Sequence, residues 1–271
     1  AADRTYLTFQ TLNVESMTVS ANVNTMAADT TGIITATLTK SDNAAVGDTL
    51  ANFNTLTATG HNISGTATDT NASASAIKTF IAKTTGTLNL TAATTITGSA
   101  ADVNSAYAAT GISGLGDEAV TLSDTSIKAS TLNTVDGNTS GSVNAGTVTT
   151  ISGAAADVNS SYAAAGISGL GNEAVTLTDT SIDVATLQTL DEATSGTIDA
   201  STLKTITGSG AKVELAFGAS GISGLTFDAS SYLASHADLL AAYGSDLTLS
   251  RAHYFAFGSA ERRSFDSFDE T

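Results

Sequence analysis

Carboxylates are the side chains of this sequence best placed to bind a ligand. Four aspartates in predicted turns are candidates for calcium ligands: Asp124, Asp136, Asp179 and Asp191. Carboxylate and carbonyl oxygens are the ligands that Ca²⁺ takes in proteins. However, the calcium-binding nonapeptide GGxGxDxUx is absent, and Asp117 is replaced by Asn172 in the next copy of a repeated segment. Solvated turn carboxylates are therefore the competing interpretation. No cofactor is predicted, and calcium is kept as an alternative.

Motifs for catalysis are absent from the sequence. The three histidines, His61, His236 and His253, lie far apart, and none has the metal-ligand spacing of an HExxH motif. The sequence has no GxSxG nucleophile elbow and no GxxxxGK[ST] phosphate loop. It also has no cysteine, which excludes a cysteine nucleophile and thiolate metal ligands. We therefore predict that the protein is not an enzyme and has no catalytic residues.

The net charge limits the partners. With 26 acidic and 10 basic residues, the chain carries a formal charge of −16, so nucleic acids and anionic membrane surfaces are expected to repel it. No apolar run approaches the length of about 18 residues that a membrane-spanning helix needs, so no membrane insertion is predicted. Charged residues are only 13% of the chain, and Thr, Ser, Asn and Gly must supply most of its polar surface.

The main feature of the chain is an internal repeat. The string GISGL begins at Gly111, Gly166 and Gly221, at a constant interval of 55 positions, and the segments before it match in phase. A more divergent copy begins near Gly32. Self-similarity at a fixed period is typical of proteins in which each copy stacks on the next. Disorder is disfavoured because the apolar positions keep their phase while the polar residues between them change.

Two helices are predicted in each copy. Apolar residues at helical spacing form a stripe along the first helix, namely Ile151, Ala155, Val158 and Tyr162. The preceding copy has the same stripe at Ile96, Ala100, Val103 and Tyr107. A second, shorter helix is indicated by Ile182, Leu187 and Leu190, with Thr180 or Ser181 as its N-cap.

Two strands are also predicted in each copy. Val175 and Leu177 alternate with Thr, as Val120 and Leu122 do one copy earlier, and a second strand is placed at GSVNA. We expect the strands of stacked copies to pair in parallel, with Leu88, Val143 and Ile198 forming one ladder of inward side chains. The predicted fold is thus a repeat solenoid of short parallel strands and short helices over residues 32–226. A β-solenoid without helices is the alternative.

The two ends depart from the repeat. Apolar and polar residues alternate from Leu7 to Val23, which predicts a strand-rich cap or edge segment over residues 1–31. That strand could instead pair with the next molecule, head to tail. Residues 227–271 are predicted to form a small helical module, with helices over 231–243 and 249–257.

Two segments carry a family resemblance. The unit containing DGNTSGSVNAGTVTTISGAAADVNSSYAAAGISGLGNEAVTLTDTSI resembles repeats of giant secreted cell-surface proteins of marine cyanobacteria, of the type associated with swimming. Residues 227–265 resemble the module FDxxxYLASxxDLxxAxGxDxxxxxxHYxxFGxxExR of type I-secreted bacterial proteins. The resemblance covers residues 84–271, and residues 1–80 depart from it. It implies export from the cell and a structural or adhesive role.

These observations together predict an extracellular structural protein. Its copies would form a filament, sheath or surface layer by head-to-tail or lateral self-association, together with other extracellular surface components. The alternative is an adhesin or spacer module of a large secreted protein, stabilised by calcium.

Overall fold

A computed structural model describes residues 19–29, 32–38 and 47–265. The chain divides into two compact units, one made of residues 1–124 and 134–145 and the other of residues 125–133 and 146–271. In both units, short parallel strands alternate with short helices, and the strands form four parallel sheets. The arrangement is therefore of the α/β type. None of the described helices is long and apolar enough to cross a membrane.

The elements follow one another with short connections. From the N-terminus they are α1 (Val19–Asp29), β1 (Thr35–Leu38), α2 (Leu50–Phe53), β2 (Asn62–Thr66), β3 (Asn71–Ser73), α3 (Ala74–Ile81), β4 (Leu88–Asn89), β5 (Thr95–Gly98), α4 (Ala100–Ala108), β6 (Ile112–Ser113), β7 (Ala119–Leu122), β8 (Ser126–Lys128), α5 (Ala129–Asn138) and β9 (Val143–Asn144). They continue with β10 (Thr150–Gly153), α6 (Ala155–Ala163), β11 (Ile167–Ser168), β12 (Ala174–Leu177), β13 (Ser181–Asp183), α7 (Val184–Ala193), β14 (Ile198–Asp199), β15 (Thr205–Thr207), α8 (Gly210–Gly218), β16 (Ile222–Ser223), α9 (Ala229–Ala234), α10 (Ala237–Tyr243), α11 (Leu247–His253) and a π-helical segment (Tyr254–Gly258).

The first unit contains two parallel ladders. One runs in the order β1, β2, β4, β6, and the other joins β3, β5, β7 and β9. The second ladder has one inward column of buried apolar side chains: Ala72, Ile96, Val120 and Val143. The next residue of each strand points outward and forms a polar column: Ser73, Thr97, Thr121 and Asn144. Alternation along each strand therefore separates the core from the surface.

The second unit repeats this pattern. Its longer ladder runs β8, β10, β12, β14, β16, and β13 pairs with β15 beside it. The inward column of the longer ladder consists of aliphatic residues: Ile127, Ile151, Val175, Ile198 and Ile222. Parallel pairing of the strands, predicted from the repeat, is confirmed.

The spacing within the ladders differs from the prediction. Paired residues lie 23 or 24 positions apart, as in Thr95 with Ala119, except in β1 and β2, where the interval is 27. The expected ladder of Leu88, Val143 and Ile198 is therefore wrong. Leu88 lies opposite Ile112, and Val143 lies opposite Val120. The interval between paired residues is the register interval. Equivalent residues of successive sequence copies are not neighbours, because the repeat length is not a multiple of this register interval.

The predicted strands at Val120 and Val175 are confirmed, as β7 and β12, whereas the first predicted helix begins too early. Helix α6 starts at Ala155, and Ile151 belongs to the preceding strand β10. Gly153 ends that strand with a φ of 152°, a conformation that favours glycine. The predicted apolar stripe thus combined one strand residue with three positions of a real helix.

The second predicted helix is confirmed as α7 for Leu187 and Leu190, but Ile182 lies in strand β13 and the N-cap was misplaced. Asp183, rather than Thr180 or Ser181, caps the helix, and its side chain accepts a hydrogen bond from the Ala185 amide. Ser181 lies in β13 instead. Because helices occur in every described copy, the alternative of a β-solenoid without helices is wrong.

The strand predicted at the N-terminus is wrong for the part that the structure describes. Residues 19–29 form helix α1, in which Val23 is buried and the Thr25 hydroxyl donates to the Ala21 carbonyl one turn earlier. Val19, Val23 and Met26 have helical spacing, which the alternation of the preceding residues obscured. Residues 1–18 lie outside the described part.

The C-terminal module is helical, as predicted, but has more helices. The helix expected over residues 231–243 is divided into α9 and α10 at Ser235 and His236, and His236 adopts an extended conformation. The helix expected over 249–257 is α11, which continues into the π-helical segment.

The aliphatic core predicts a clear difference between two substitutions in the second unit. Leu187→Ala removes a side chain with 0% exposure and should lower the free energy of unfolding by about 2–5 kcal/mol. Thr176→Ala changes an exposed outward residue of β12 and should change it by less than about 0.5 kcal/mol. Chemical denaturation followed by circular dichroism measures both. Equal effects would contradict this assignment of inward and outward faces.

Candidate functional site

Two of the predicted calcium ligands, Asp124 and Asp179, cap helices. A recurring aspartate accepts a hydrogen bond from the first backbone amide of a helix that precedes it in the chain. The amide and aspartate pairs are Leu50 with Asp69 (2.7 Å), Ala100 with Asp124 (2.7 Å) and Ala155 with Asp179 (2.8 Å). A carboxylate at a helix N-terminus satisfies an otherwise open donor and interacts favourably with the helix dipole. Asp124 and Asp179 thus stabilise helices.

The other two candidates lie in helices, which corrects their placement in turns. Asp136 belongs to α5 and Asp191 to α7, because both helices extend further than the sequence pattern indicated. Within residues 19–29, 32–38 and 47–265, no three His, Cys, Asp or Glu side chains come together in a group that could hold a metal ion. The four aspartates are therefore not gathered into one site.

A buried glutamate forms the centre of a polar network in the first unit. Glu118 is 1% exposed, and its Oε2 accepts hydrogen bonds from the Tyr107 hydroxyl at 2.8 Å and the Gly116 amide at 2.9 Å. The Thr139 hydroxyl donates to the Glu118 carbonyl at 2.6 Å and accepts from the Gly141 amide at 3.0 Å. The network thus joins helix α4 to the turn before β7 and to the turn before β9.

The second unit contains the same network at the equivalent positions of the next sequence copy. Glu173 is fully buried, and its Oε2 accepts from the Tyr162 hydroxyl at 2.9 Å and the Gly171 amide at 2.8 Å. The Thr194 hydroxyl donates to the Glu173 carbonyl at 2.8 Å, and the Gly196 amide donates to the Thr194 hydroxyl oxygen at 3.0 Å. Equivalent residues of the two copies therefore make equivalent bonds.

Close packing at these networks leaves room only for glycine. A Cβ atom on Gly141 would lie 2.3 Å from the Glu118 carbonyl oxygen, and one on Gly196 would lie 2.2 Å from that of Glu173. The backbones approach each other so closely because the threonine hydroxyl bridges them. The glycines of GSVNA and GTIDA thus have a packing role.

These networks cross-link helices and turns within each unit. Burial raises the pKa of the Tyr107 and Tyr162 phenols well above the usual value, and the bond to the neighbouring glutamate raises it further. Both phenols thus stay protonated donors near neutral pH. The Oε1 atom of each glutamate is buried and has no hydrogen-bond partner, so the carboxyl groups are enclosed by protein.

The sequence analysis assigned no role to Glu118 or Glu173, because neither belongs to a recognised motif. One signal was present in the two matching copies. The glutamate and a tyrosine at a fixed distance before it are kept, as Tyr107 with Glu118 and Tyr162 with Glu173, while the neighbouring Asp117 changes to Asn.

The strongest gathering of titratable groups outside these networks lies in the C-terminal module. The Tyr232 hydroxyl and His253 Nδ1 are 3.0 Å apart, and His236 Nδ1 donates to the Tyr232 carbonyl at 2.7 Å. Burial lowers the pKa of His253 and raises the pKa of Tyr232 to about 12. His61 lies apart in the first unit, where its Nδ1 accepts from the Ile34 amide at 3.1 Å.

An ion pair completes this C-terminal cluster. The Arg263 guanidinium binds both carboxylate oxygens of Asp238, at 3.0 and 2.8 Å, and also contacts Glu261. The Arg263 side chain holds the pKa of Asp238 down to about 2. Bidentate pairing of this kind fixes geometry. The residues that carry polar chemistry here are bonded to one another and tie α9, α10 and α11 together.

Comparisons with known proteins do not assign the chain to a family. It matches no protein family model, and neither the search of curated proteins nor the search of solved structures finds a match. The resemblance of the repeats to cyanobacterial surface proteins therefore stays a prediction.

The glutamate networks predict the effect of removing one phenol hydroxyl. Tyr162→Phe removes a donor to the buried Glu173 carboxyl and should lower the free energy of unfolding by about 1–3 kcal/mol. Tyr243→Phe, at a partly exposed tyrosine of α10, is the matched control and should have a much smaller effect. Denaturant titration of both variants measures the difference. An unchanged midpoint for Tyr162→Phe would show that the network contributes little.

The same phenols predict loss of stability at high pH. In the folded protein the pKa values of Tyr107, Tyr162 and Tyr254 are raised above the ordinary 10.0, so folding favours the protonated form. Their contribution is complete below pH 10 and is lost as the pH rises towards the folded-state values. Melting temperatures across this range, with phenolate absorbance recorded in parallel, test this. Stability that is constant above pH 10 would contradict it.

Proposed function

We propose that this chain is a structural segment of an extracellular protein and that its repeats form a solenoid. The observation that carries the proposal is the recurrence of one set of bonds: Tyr107 with Glu118 and Thr139, and then the same three residue types in the next copy. The buried polar groups of these networks are used to join helices to turns. Such a chain adds length by adding copies, which suits a rod or spacer.

The outward face of the first unit's ladder supports self-association. Its column of Ser73, Thr97, Thr121 and Asn144 is uncharged, and adjacent strands of a sheet lie about 4.8 Å apart. Hydroxyl and amide groups at regular spacing can bond to a matching column on a second copy without placing like charges of the column opposite each other. We propose that lateral contacts of this kind build a filament, sheath or surface layer, together with other extracellular components.

The extracellular location rests on composition and on the family resemblance. The chain has no cysteine and a low content of charged residues, and most of its polar side chains carry hydroxyl or amide groups. A chain without cysteine needs no disulfide formation after export.

Charges introduced on the outward column test the proposal. At increasing concentration, the wild-type chain should form regular polymers in negative-stain electron microscopy, whereas Thr97→Lys/Thr121→Lys should stay monomeric because the added charges repel each other. The control, Thr79→Lys/Ser105→Lys, adds the same charge on exposed helix positions and should still polymerise.

Light scattering coupled to gel filtration gives the molecular mass of each variant. A wild-type chain that stays strictly monomeric at its highest soluble concentration would contradict self-association and would favour a spacer role.

A further inference from the structure

In both units, a strand with the sequence TITG or TISG pairs in parallel with a later strand of the sequence AVTL. In the first unit, the amides of Ala119 and Ser123 donate to the carbonyls of Thr94 and Gly98, each at 3.0 Å. In the second unit, the amides of Ala174 and Thr178 donate in the same way to Thr149 and Gly153, at 3.0 and 3.1 Å. The carbonyl before the strand and the carbonyl of its final glycine therefore mark the edge that accepts the next strand.

The last strand of this type, β15, has the same sequence, TITG, at residues 205–208, but a different neighbour. The corresponding carbonyls belong to Lys204 and Gly208. The Phe265 amide and the Ser264 hydroxyl both donate to the Lys204 carbonyl at 2.9 Å. The Ser259 hydroxyl donates to the Gly208 carbonyl at 3.3 Å. The C-terminal module thus satisfies the accepting edge of β15 with donors that do not form a strand.

Helix α8 is altered at two positions to receive this module. Gly210 stands where the two earlier helices have Ala100 and Ala155. A Cβ atom there would lie only 1.2 Å from the Phe255 carbonyl oxygen. The glycine therefore permits direct contact between α8 and the π-helical segment.

The second altered position is Phe217, which replaces the tyrosine of the glutamate networks. Its ring packs edge-on against Phe265 at a centroid distance of 5.2 Å and against Phe255 at 5.5 Å. Phe265 itself is 1% exposed. A polar bond made within each of the two earlier copies is thus replaced by an aromatic contact with the module.

We propose that residues 254–265 act as a terminator that occupies a strand-binding edge on β15, and that this edge, once uncovered, binds an Ala-Val-Thr-Leu strand from a second copy of the chain. The preferred occupant follows from the two places where the same edge is filled by AVTL. The inference goes beyond the proposed lateral assembly and does not depend on it, since it concerns one end of a ladder. It also excludes strand addition at this edge while the terminator is in place.

The substitution Gly210→Ala tests the terminator without changing β15. The added methyl group must displace Phe255, whereas the helix tolerates alanine at this position in two other copies. Gly218→Ala is the matched control, because a Cβ atom at Gly218 in the same helix meets nothing within 4 Å.

The probe is a fluorescent peptide with the sequence NEAVTLTDT, residues 172–180, and binding is measured by anisotropy on the full chain. A second peptide with Ala174→Pro and Thr178→Pro lacks the two donors that β10 receives and serves as the negative probe.

The peptide should bind Gly210→Ala at least about tenfold more tightly than it binds the wild type or Gly218→Ala, and the proline peptide should bind none of them. A second variant, Ser259→Ala/Ser264→Ala, removes only hydroxyl donors and should strengthen peptide binding in the same direction. Equal binding to the wild type and both terminator variants, or no binding to either variant, overturns the proposal. Peptide binding does not require polymers, so a monomeric wild-type chain leaves the inference intact while contradicting lateral assembly.

Discussion

Parallel pairing between strands that lie one register interval apart in the chain is the constraint on which the rest of the structure depends. Most strands are very short, as Leu88–Asn89 and Ser126–Lys128 illustrate, and backbone bonds alone cannot hold such strands together. Each strand therefore needs the following segment of chain to supply its neighbour. Two recurring side chains support this pairing. An aspartate caps the N-terminus of a preceding helix, and a threonine hydroxyl bridges two backbone segments that meet at a glycine.

The inward columns of apolar side chains depend on the same parallel pairing. Ile151 and Val175 are adjacent across the sheet and both are buried, although helix α6 and strand β11 lie between them in the chain. Ile151 also pairs with Ile127, which belongs to the preceding copy, so the column of buried side chains continues from one copy to the next. Repeat length and register interval are unequal, and a given residue type therefore meets different partners along the chain.

The sequence predicted much of this architecture. The alternation at Val120 and Val175, the parallel pairing and the short helices all follow from local apolar spacing. The register could not be predicted in this way. The repeat interval can be read from the amino-acid sequence, whereas the register interval is a property of backbone pairing. The N-cap at Asp183 was missed for a similar reason, because the short strand β13 ends where the pattern already looked helical.

Candidate polar residues were harder to predict than the fold. Asp124 and Asp179 look like free turn carboxylates until the helix start that each one caps is known. Glu118 looks exposed in the sequence because it follows Asp117 in a glycine-rich stretch, and only the approach of Tyr107 and Thr139 encloses it. Long-range partners decide the environment of each of these side chains, and their residue types do not reveal those partners.

The aspartate caps also set an order in which the chain can become complete. The first amides of α4 and α6 bond to Asp124 and Asp179, which lie well beyond the ends of these helices in the chain. While the protein is being made, each of these helices keeps an open donor until the ribosome has added that later aspartate. Each of these caps therefore couples the start of a helix to a residue 24 positions later in the chain. For helix α8 the corresponding position is Ala234, whose side chain cannot accept this bond.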